Sequence, residues 1–158
     1  MQKITPSLWF NDNAEEAISF YSSIFKNSKV TDKSYYGEGS PFPAGTLLAA
    51  TFYLDGQEFL AINGGPQFPF TEAVSFTVYC ETQEEVDNYW AKLTADGGKE
   101  VQCGWLKDKY GLSWQITPSI MPKLLSDPDK EKAGRAMQAM MKMVKLDIAA
   151  LEKAFNGK

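Results

Sequence analysis

Apolar and polar residues alternate along several short stretches of the chain, a period of two that is typical of β-strands with one buried face. The stretches 4–10, 73–81 and 112–117 alternate most clearly. In 112–117, aromatic and aliphatic side chains take every second position, and Ser113 and Gln115 stand among the polar residues between them. Such a strand suits a sheet whose polar side borders a pocket, but an ordinary half-buried strand shows the same pattern and is the commoner case.

Other stretches repeat their apolar residues at a spacing of three and four, which is typical of helices. Residues 13–25 and 83–93 are each predicted to form an amphipathic helix. Residues 46–54 and 58–63 are predicted to form a β-hairpin, because the Asp55-Gly56 pair between them is a strong turn signal.

The elements recur in the same order, which indicates an internal duplication. Each half is predicted to contain a strand, a helix and three further strands, and residues 30–36 supply the second strand of the first half. Glu15-Glu16-Ala17 matches Glu84-Glu85-Val86 at an offset of 69 positions (84 − 15). The sequence therefore predicts a single α+β domain of two tandem βαβββ modules, over 1–69 and 70–118.

The last part of the chain, residues 119–158, is predicted to be a C-terminal helical extension. Ser126-Asp127-Pro128 is a typical helix start, because proline is tolerated in a first turn. One amphipathic helix is then expected, with a soft interruption at Gly134. Its apolar positions are Met137, Met140, Met141, Val144, Ile148, Leu151 and Phe155. Methionine packs adaptably, so this stripe could bind a partner, but packing on its own domain or on a twofold mate is favoured.

Composition is that of a single-domain globular protein. The 158 residues suit one domain, and a net charge of −4 offers no basic surface for nucleic acid. No apolar run is long enough to cross a membrane, and no signal peptide is predicted, so a cytoplasmic location is expected. Cys80 and Cys103 are expected to be free thiols. The chain has no histidine, which is the commonest general base and metal ligand.

Several motifs spread over nearly the whole chain resemble one family. They are Pro6-Ser7-Leu8-Trp9-Phe10, Ala14-Glu15-Glu16-Ala17, Phe20-Tyr21, Cys103-Gly104-Trp105 with Asp108, Tyr110-Gly111, Ser113-Trp114-Gln115-Ile116-Thr117-Pro118, and Ala139-Met140 with Met143 and Lys145-Leu146-Asp147. In these residues the sequence is similar to the PhnB-like branch, labelled 3-demethylubiquinone-9 3-methyltransferase, of the glyoxalase/bleomycin-resistance/dioxygenase (vicinal oxygen chelate) superfamily.

The resemblance implies that the two modules form a U-shaped half-barrel around one cavity, in a protein that is usually a homodimer. Metal-dependent members of the superfamily place their ligands at positions that fall on or beside Thr5, Ala61 or Asn63, Ser75 and Gln115. None of these residues is His, Asp or Glu, so no metal is expected on those positions.

The methyltransferase label of the branch is not expected to describe a literal activity. Adenosyl methyl donors usually bind over a glycine-rich strand-to-helix turn of a doubly wound sheet. Gly64-Gly65 precedes Pro66 in a loop, and Gly97-Gly98 follows a predicted helix. Neither pair fits, and no cofactor is expected.

No catalytic residue can be assigned from the sequence. Glu15-Glu16 and Glu84-Glu85 lie at predicted helix starts, where the helix dipole or solvent explains them. Cys103 could be an activated thiol beside Lys107 or Lys109, but a structural thiol is favoured.

Three functions remain open. The first is a metal-free protein that binds a small apolar or aromatic molecule in the cavity. The second is an enzyme of the same fold that works without a metal of its own, and the third is a structural or regulatory homodimer whose contact surface is the Met-rich helix. For the first function the predicted ligand residues are Thr5, Ser7, Trp9, Asn63, Ser75, Thr77, Tyr79, Trp105, Ser113 and Gln115.

Overall fold

The computed structural model describes residues 2–158, which form two compact units with the boundary between Phe70 and Thr71. Each unit contains one four-stranded sheet. Within these residues, no helix combines the length and the apolar character needed to cross a membrane.

The first unit is built in the order strand, helix and three strands. These are β1 (Ser7–Phe10), α1 (Ala14–Ile24), β2 (Lys29–Tyr35), β3 (Leu47–Leu54) and β4 (Gln57–Asn63). The sheet order is β1-β4-β3-β2, and only β1 and β4 are parallel. The β3–β4 hairpin turns at Asp55 and Gly56, whose φ angles of 47° and 82° lie in the left-handed region that these residue types tolerate.

The second unit repeats this order. Its elements are β5 (Ser75–Cys80), α2 (Gln83–Leu93), a 3₁₀ turn (Ala95–Gly97), β6 (Lys99–Glu100), β7 (Trp105–Lys107) and β8 (Ser113–Pro118). The sheet order is β5-β8-β7-β6, and only β5 and β8 are parallel. The prediction of an α+β fold with two tandem βαβββ modules is confirmed.

The helix of each unit packs against one face of the sheet in the same unit. In α1 the fully buried residues include Ala17 and Tyr21, and in α2 they include Val86 and Leu93. These pairs are separated by four and seven residues, so each helix buries a single stripe. The sheet residues under each helix are therefore core, and the alternate residues of each strand point to the other face.

The C-terminal extension is helical, as predicted, but it is divided into three helices instead of one. These are α3 (Met121–Leu125), α4 (Lys130–Met141) and α5 (Ile148–Phe155). The segment 142–147 leaves the helical path because its backbone bonds to the second module. The N–H groups of Cys103 and Gly104 donate to the carbonyls of Met143 and Val144, each at 2.8 Å.

A glutamine side chain holds the end of the segment 142–147. The amide of Gln83 donates to the carbonyl of Leu146 at 3.1 Å and accepts from the N–H of Ile148 at 2.8 Å. Leu146 is fully buried, and Asp147 then caps α5. The helix break therefore belongs to the packing of the second unit, which the helical periodicity of the sequence could not reveal.

Candidate functional site

The pairing of β1 with β4 distinguishes the two faces of the first sheet. Ser7 lies beside Leu60 and Trp9 beside Ile62 in the parallel register, so these four side chains point to one face. The alternate residues of β1 point to the opposite face and are buried. Ser7 is exposed and Trp9 is half-buried, which leaves both accessible on the face predicted for a ligand.

A buried carboxylate lies on the same face and was missed by the sequence analysis. Glu58, two residues before Leu60 on β4, accepts hydrogen bonds from the hydroxyl of Thr5 at 2.6 Å and from the hydroxyl of Tyr53. The Thr5 bond and then the Tyr53 bond lower the pKa of Glu58 below its ordinary value. The carboxylate in turn raises the pKa of Tyr53. Thr5 is thus hydrogen-bonded within its own unit.

The indole of Trp9 is held by the loop that follows β4. Its N–H donates to the carbonyl of Gly65 at 2.9 Å, and its ring meets Phe68 edge to face at a centroid distance of 5.0 Å. A Cβ at Gly64 would fall 2.2 Å from the ring, so only glycine permits this approach. The glycines of this loop therefore serve the packing of Trp9.

Asn63 lies on the opposite face from Trp9. Its side chain is buried, accepts from the N–H of Ala14 at 2.9 Å and donates to the carbonyl of Leu47 at 3.1 Å. It borders a depression of about 400 Å³ at the start of α1. The first unit therefore brings Thr5, Ser7 and Trp9 together, but it places Asn63 in a different environment.

The second sheet is shaped by a buried aspartate in the turn before β8. Asp108 accepts from the backbone N–H groups of Tyr110 and Leu112 at 2.9 and 3.1 Å, and from the indole N–H of Trp114 at 2.9 Å. Gly111, with a φ of 86°, supplies the left-handed position of the turn. One carboxylate thus ties the turn to the buried face of β8 and fixes which side chains point the other way.

Five predicted ligand residues share the other face of the second sheet. Ser75 lies beside Ser113 and Thr77 beside Gln115 in the parallel register of β5 and β8. The Nε2 atom of Gln115 donates to the hydroxyl of Ser75 at 2.9 Å. Thr77 is exposed, and Tyr79, two residues further on β5, is 61% exposed. These side chains form a continuous polar face.

Strand β7 extends this face. Trp105 pairs with Gln115 and Lys107 pairs with Ser113, so both side chains join the polar side. Ser113 is only 1% exposed, and its hydroxyl has no hydrogen-bond partner among residues 2–158. Lys107, which was not among the predicted ligand residues, pairs with Glu72. The hydrogen bond from the Lys107 ammonium lowers the pKa of Glu72. Alternation from Trp105 would have pointed to Lys107.

The environment of Cys80 keeps its thiol unreactive. Burial raises the pKa of Cys80 to about 12, and the charges of Glu85 and Glu81 add to the effect. A thiol with this pKa is protonated at neutral pH and is a poor nucleophile. Cys103 is half-buried, and both cysteines are free.

The predicted metal positions do not carry the side chains that zinc or iron prefers. Thr5, Ser75 and Gln115 offer hydroxyl and amide groups, whereas zinc and iron sites are built from His, Cys and carboxylate ligands. Within the described part of the chain, no three His, Cys, Asp or Glu side chains are grouped to hold a metal.

Solved structures first define the class of the protein. A fosfomycin resistance protein, FosX, from Listeria monocytogenes is 16% identical with a TM-score of 0.51, and the match covers 75% of this chain and 93% of that chain. A Pseudomonas aeruginosa protein is 21% identical with a TM-score of 0.60, over 75% and 98% of the two chains. At these identities the likeness is one of fold alone, a glyoxalase-like fold.

Two further comparisons identify the family of the chain. The family model of 3-demethylubiquinone-9 3-methyltransferase matches residues 2–117. A Bacillus cereus structure, described as a 3-demethylubiquinone-9 3-methyltransferase and PhnB protein, is 44% identical with a TM-score of 0.68, covering 75% of this chain and all of that chain. The chain belongs to this family, in the PhnB-like branch of the superfamily, which confirms the resemblance in the motifs. No curated protein matches the chain.

Proposed function

We propose that this protein binds a small organic molecule on the polar face of its second sheet, without a metal ion and without methyl transfer. The ligand residues in this unit are Ser75, Thr77, Tyr79, Trp105, Ser113 and Gln115. A planar or aromatic molecule suits them, because an indole supplies apolar contact beside hydroxyl and amide groups that fix orientation. The roles of Thr5, Ser7, Trp9 and Asn63 toward a ligand stay predictions.

One observation carries the proposal. The hydroxyl of Ser113 is buried and unpartnered in the described chain, although its strand neighbour Ser75 is bonded to Gln115. Buried polar groups in native proteins nearly always have a partner, because leaving one unpaired costs free energy. A bound molecule would supply that partner.

The titrating side chains favour binding over catalysis. A general acid or base works best with a pKa near the operating pH. The pKa values of Glu58 and Glu72 are lowered, and those of Tyr53 and Cys80 are raised, so all four move away from neutrality. These groups are therefore not tuned for acid–base chemistry at pH 7, and the metal-independent enzyme is the second candidate.

Ligand-induced stabilisation tests the proposal. The full chain is screened by thermal unfolding against a panel of aromatic metabolites and antibiotics, with and without EDTA. A ligand present at a hundred times its Kd should add about 2.7 kcal/mol to the free energy of unfolding. Chelation should not change the shift if binding needs no metal.

A pair of glutamine variants ties any binding to the site. Gln115→Ala should weaken the stabilisation, because it removes an amide from the polar face. Gln138→Ala, on the exposed side of α4, should leave it unchanged. Silence across a broad panel, or equal loss in both variants, would contradict the proposal. The homodimer and the cytoplasmic location stay predictions.

A further inference from the structure

Ser113 lies between two groups that could share an anion with it. It is the register neighbour of Ser75 on one side and of Lys107 on the other. Its hydroxyl is buried, and no partner for it exists among the described residues. Because its hydrogen is not used in a hydrogen bond, the Ser113 hydroxyl can donate to an acceptor on this face of the sheet.

The Lys107 ammonium already holds a carboxylate at this point. Lys107 lies on β7 and Glu72 precedes β5, so their ion pair spans the width of β8 at the end of the sheet where Ser113 lies. The side chains of Lys107 and Glu72 are 32% and 58% exposed. An exposed ion pair contributes little to stability, so exchange of Glu72 for another carboxylate costs little.

An apolar side chain, that of Trp105, lies on the same face as the Lys107–Glu72 ion pair. Trp105 is two residues before Lys107 on β7, points to the same face and is half-buried. Two residues along a strand span about 6.6 Å. A planar molecule with its anionic group at Lys107 would therefore extend over the indole.

We infer that Lys107, Ser113 and Trp105 form a subsite for a small aromatic carboxylate, and that Glu72 is a built-in competitor for its anionic end. The inference deepens the proposed function and rests on it. In the bound state the Lys107 ammonium and the Ser113 hydroxyl donate to the carboxylate, and Glu72 turns to solvent. A carboxylate is favoured over other anions because the resident partner of Lys107 is itself a carboxylate.

The test is a titration of the ¹⁵N-labelled full chain followed by NMR. Benzoate is the probe, and benzamide is its neutral counterpart of the same shape. Benzoate should shift the Trp105 indole signal and the Ser113 amide signal, and it should bind about tenfold more tightly than benzamide, since hydrogen bonds to charged groups are the stronger ones. Inorganic phosphate is titrated separately, and its equal binding would overturn the choice of a carboxylate.

Removing the carboxylate of Glu72 should raise the affinity for benzoate. Glu72→Gln removes the competitor and should tighten benzoate binding about threefold. Glu15→Gln is the matched control: Glu15 is 57% exposed, pairs with Lys33 in the first unit and should have no effect. Weaker benzoate binding in Glu72→Gln would overturn the competitor role.

Removing the donors should do the opposite. Lys107→Gln should weaken benzoate and leave benzamide unchanged. Ser113→Ala should weaken benzoate roughly tenfold. Ser22→Ala, which removes the other buried unpartnered hydroxyl among residues 2–158, should not change it. The spectrum of each variant reports its folding independently of binding.

The outcomes separate this inference from the proposed function. Equal affinities for benzoate and benzamide at the same signals, unchanged in the Glu72 and Lys107 variants, would overturn the carboxylate subsite and leave the binding face standing. The absence of shifts on this sheet with either probe and with every member of the wider panel would overturn both.

Discussion

The two sheets share one strand order, but the polar side chains on their open faces are partnered differently. In the first unit, the Glu58 carboxylate accepts hydrogen bonds from the hydroxyls of Thr5 and Tyr53. In the second, the Ser113 hydroxyl lacks a partner within the described chain, and Lys107 is held by an exposed glutamate. We call the polar cluster of the first module closed, because its side chains hydrogen-bond to one another. We call that of the second module open, because the Ser113 hydroxyl has no partner among residues 2–158.

Topology and the capacity to bind a ligand are therefore set by separate features. The strand order follows from the backbone and the buried faces, which are alike in both modules. Whether the open face can accept a solute depends on a few side chains whose hydrogen-bonding capacity is used or unused. The first module uses that capacity for its own stability, and the second retains it.

Asn63→Ala should give the largest effect, because it removes a buried side chain that holds two backbone groups of the first module. It leaves the N–H of Ala14 and the carbonyl of Leu47 without their buried partner. Unsatisfied buried groups are costly, so the free energy of unfolding should fall by about 3 kcal/mol. Urea denaturation measures the loss. Asn88→Ala, at an exposed position of α2, is the control and should be close to neutral.

Glu58→Gln should remove a pH-dependent part of the stability. Because the folded-state pKa of Glu58 is lowered, its stabilisation is fully present above the ordinary value of 4.5 and is lost as the pH falls through the lowered value. The gap in urea midpoint between wild type and Glu58→Gln should therefore be widest above pH 5 and shrink on acidification. A gap that is constant from pH 7 to pH 2 would contradict the closed cluster.

The faces of the strands were predictable, but the partners across them were not. Alternation over 112–117 assigned Ser113 and Gln115 to the polar side correctly, because the side-chain period of a strand is fixed. The role of Glu58 was not predictable, because its hydrogen-bond partner Thr5 is 53 positions away in the chain. No local pattern encodes that contact.

Register explains the remaining differences. Asn63 was grouped with Trp9, yet β1 pairs with β4 so that Asn63 lies beside Phe10 on the buried face. A shift of one residue would have reversed this assignment, and register is not readable from two separate strands. The helix break at 142–147 was not predictable either, because it depends on hydrogen bonds from Cys103 and Gly104, which are distant in the sequence.

Ser113→Ala should have a smaller effect on stability, and of the opposite sign. Removing a buried, unpartnered hydroxyl should raise the free energy of unfolding by about 1 kcal/mol in the ligand-free protein. Thermal unfolding without ligand measures the gain. A loss of stability would show that the hydroxyl has a partner in solution, and the second module would then be as closed as the first.

Glu72→Gln and Glu15→Gln should have the smallest effect on stability, close to none. Both carboxylates belong to exposed ion pairs, and such pairs are screened by solvent. The urea midpoints of both variants should match wild type at neutral pH and physiological salt. The two variants should differ only in benzoate affinity, because Glu72 pairs with Lys107, the register neighbour of Ser113, whereas Glu15 pairs with Lys33 in the first unit. A clear loss of stability in Glu72→Gln would mean that the ion pair with Lys107 holds the second module together. Its carboxylate could not then be exchanged for a ligand at low cost, and the open face would lose its proposed site for an anion.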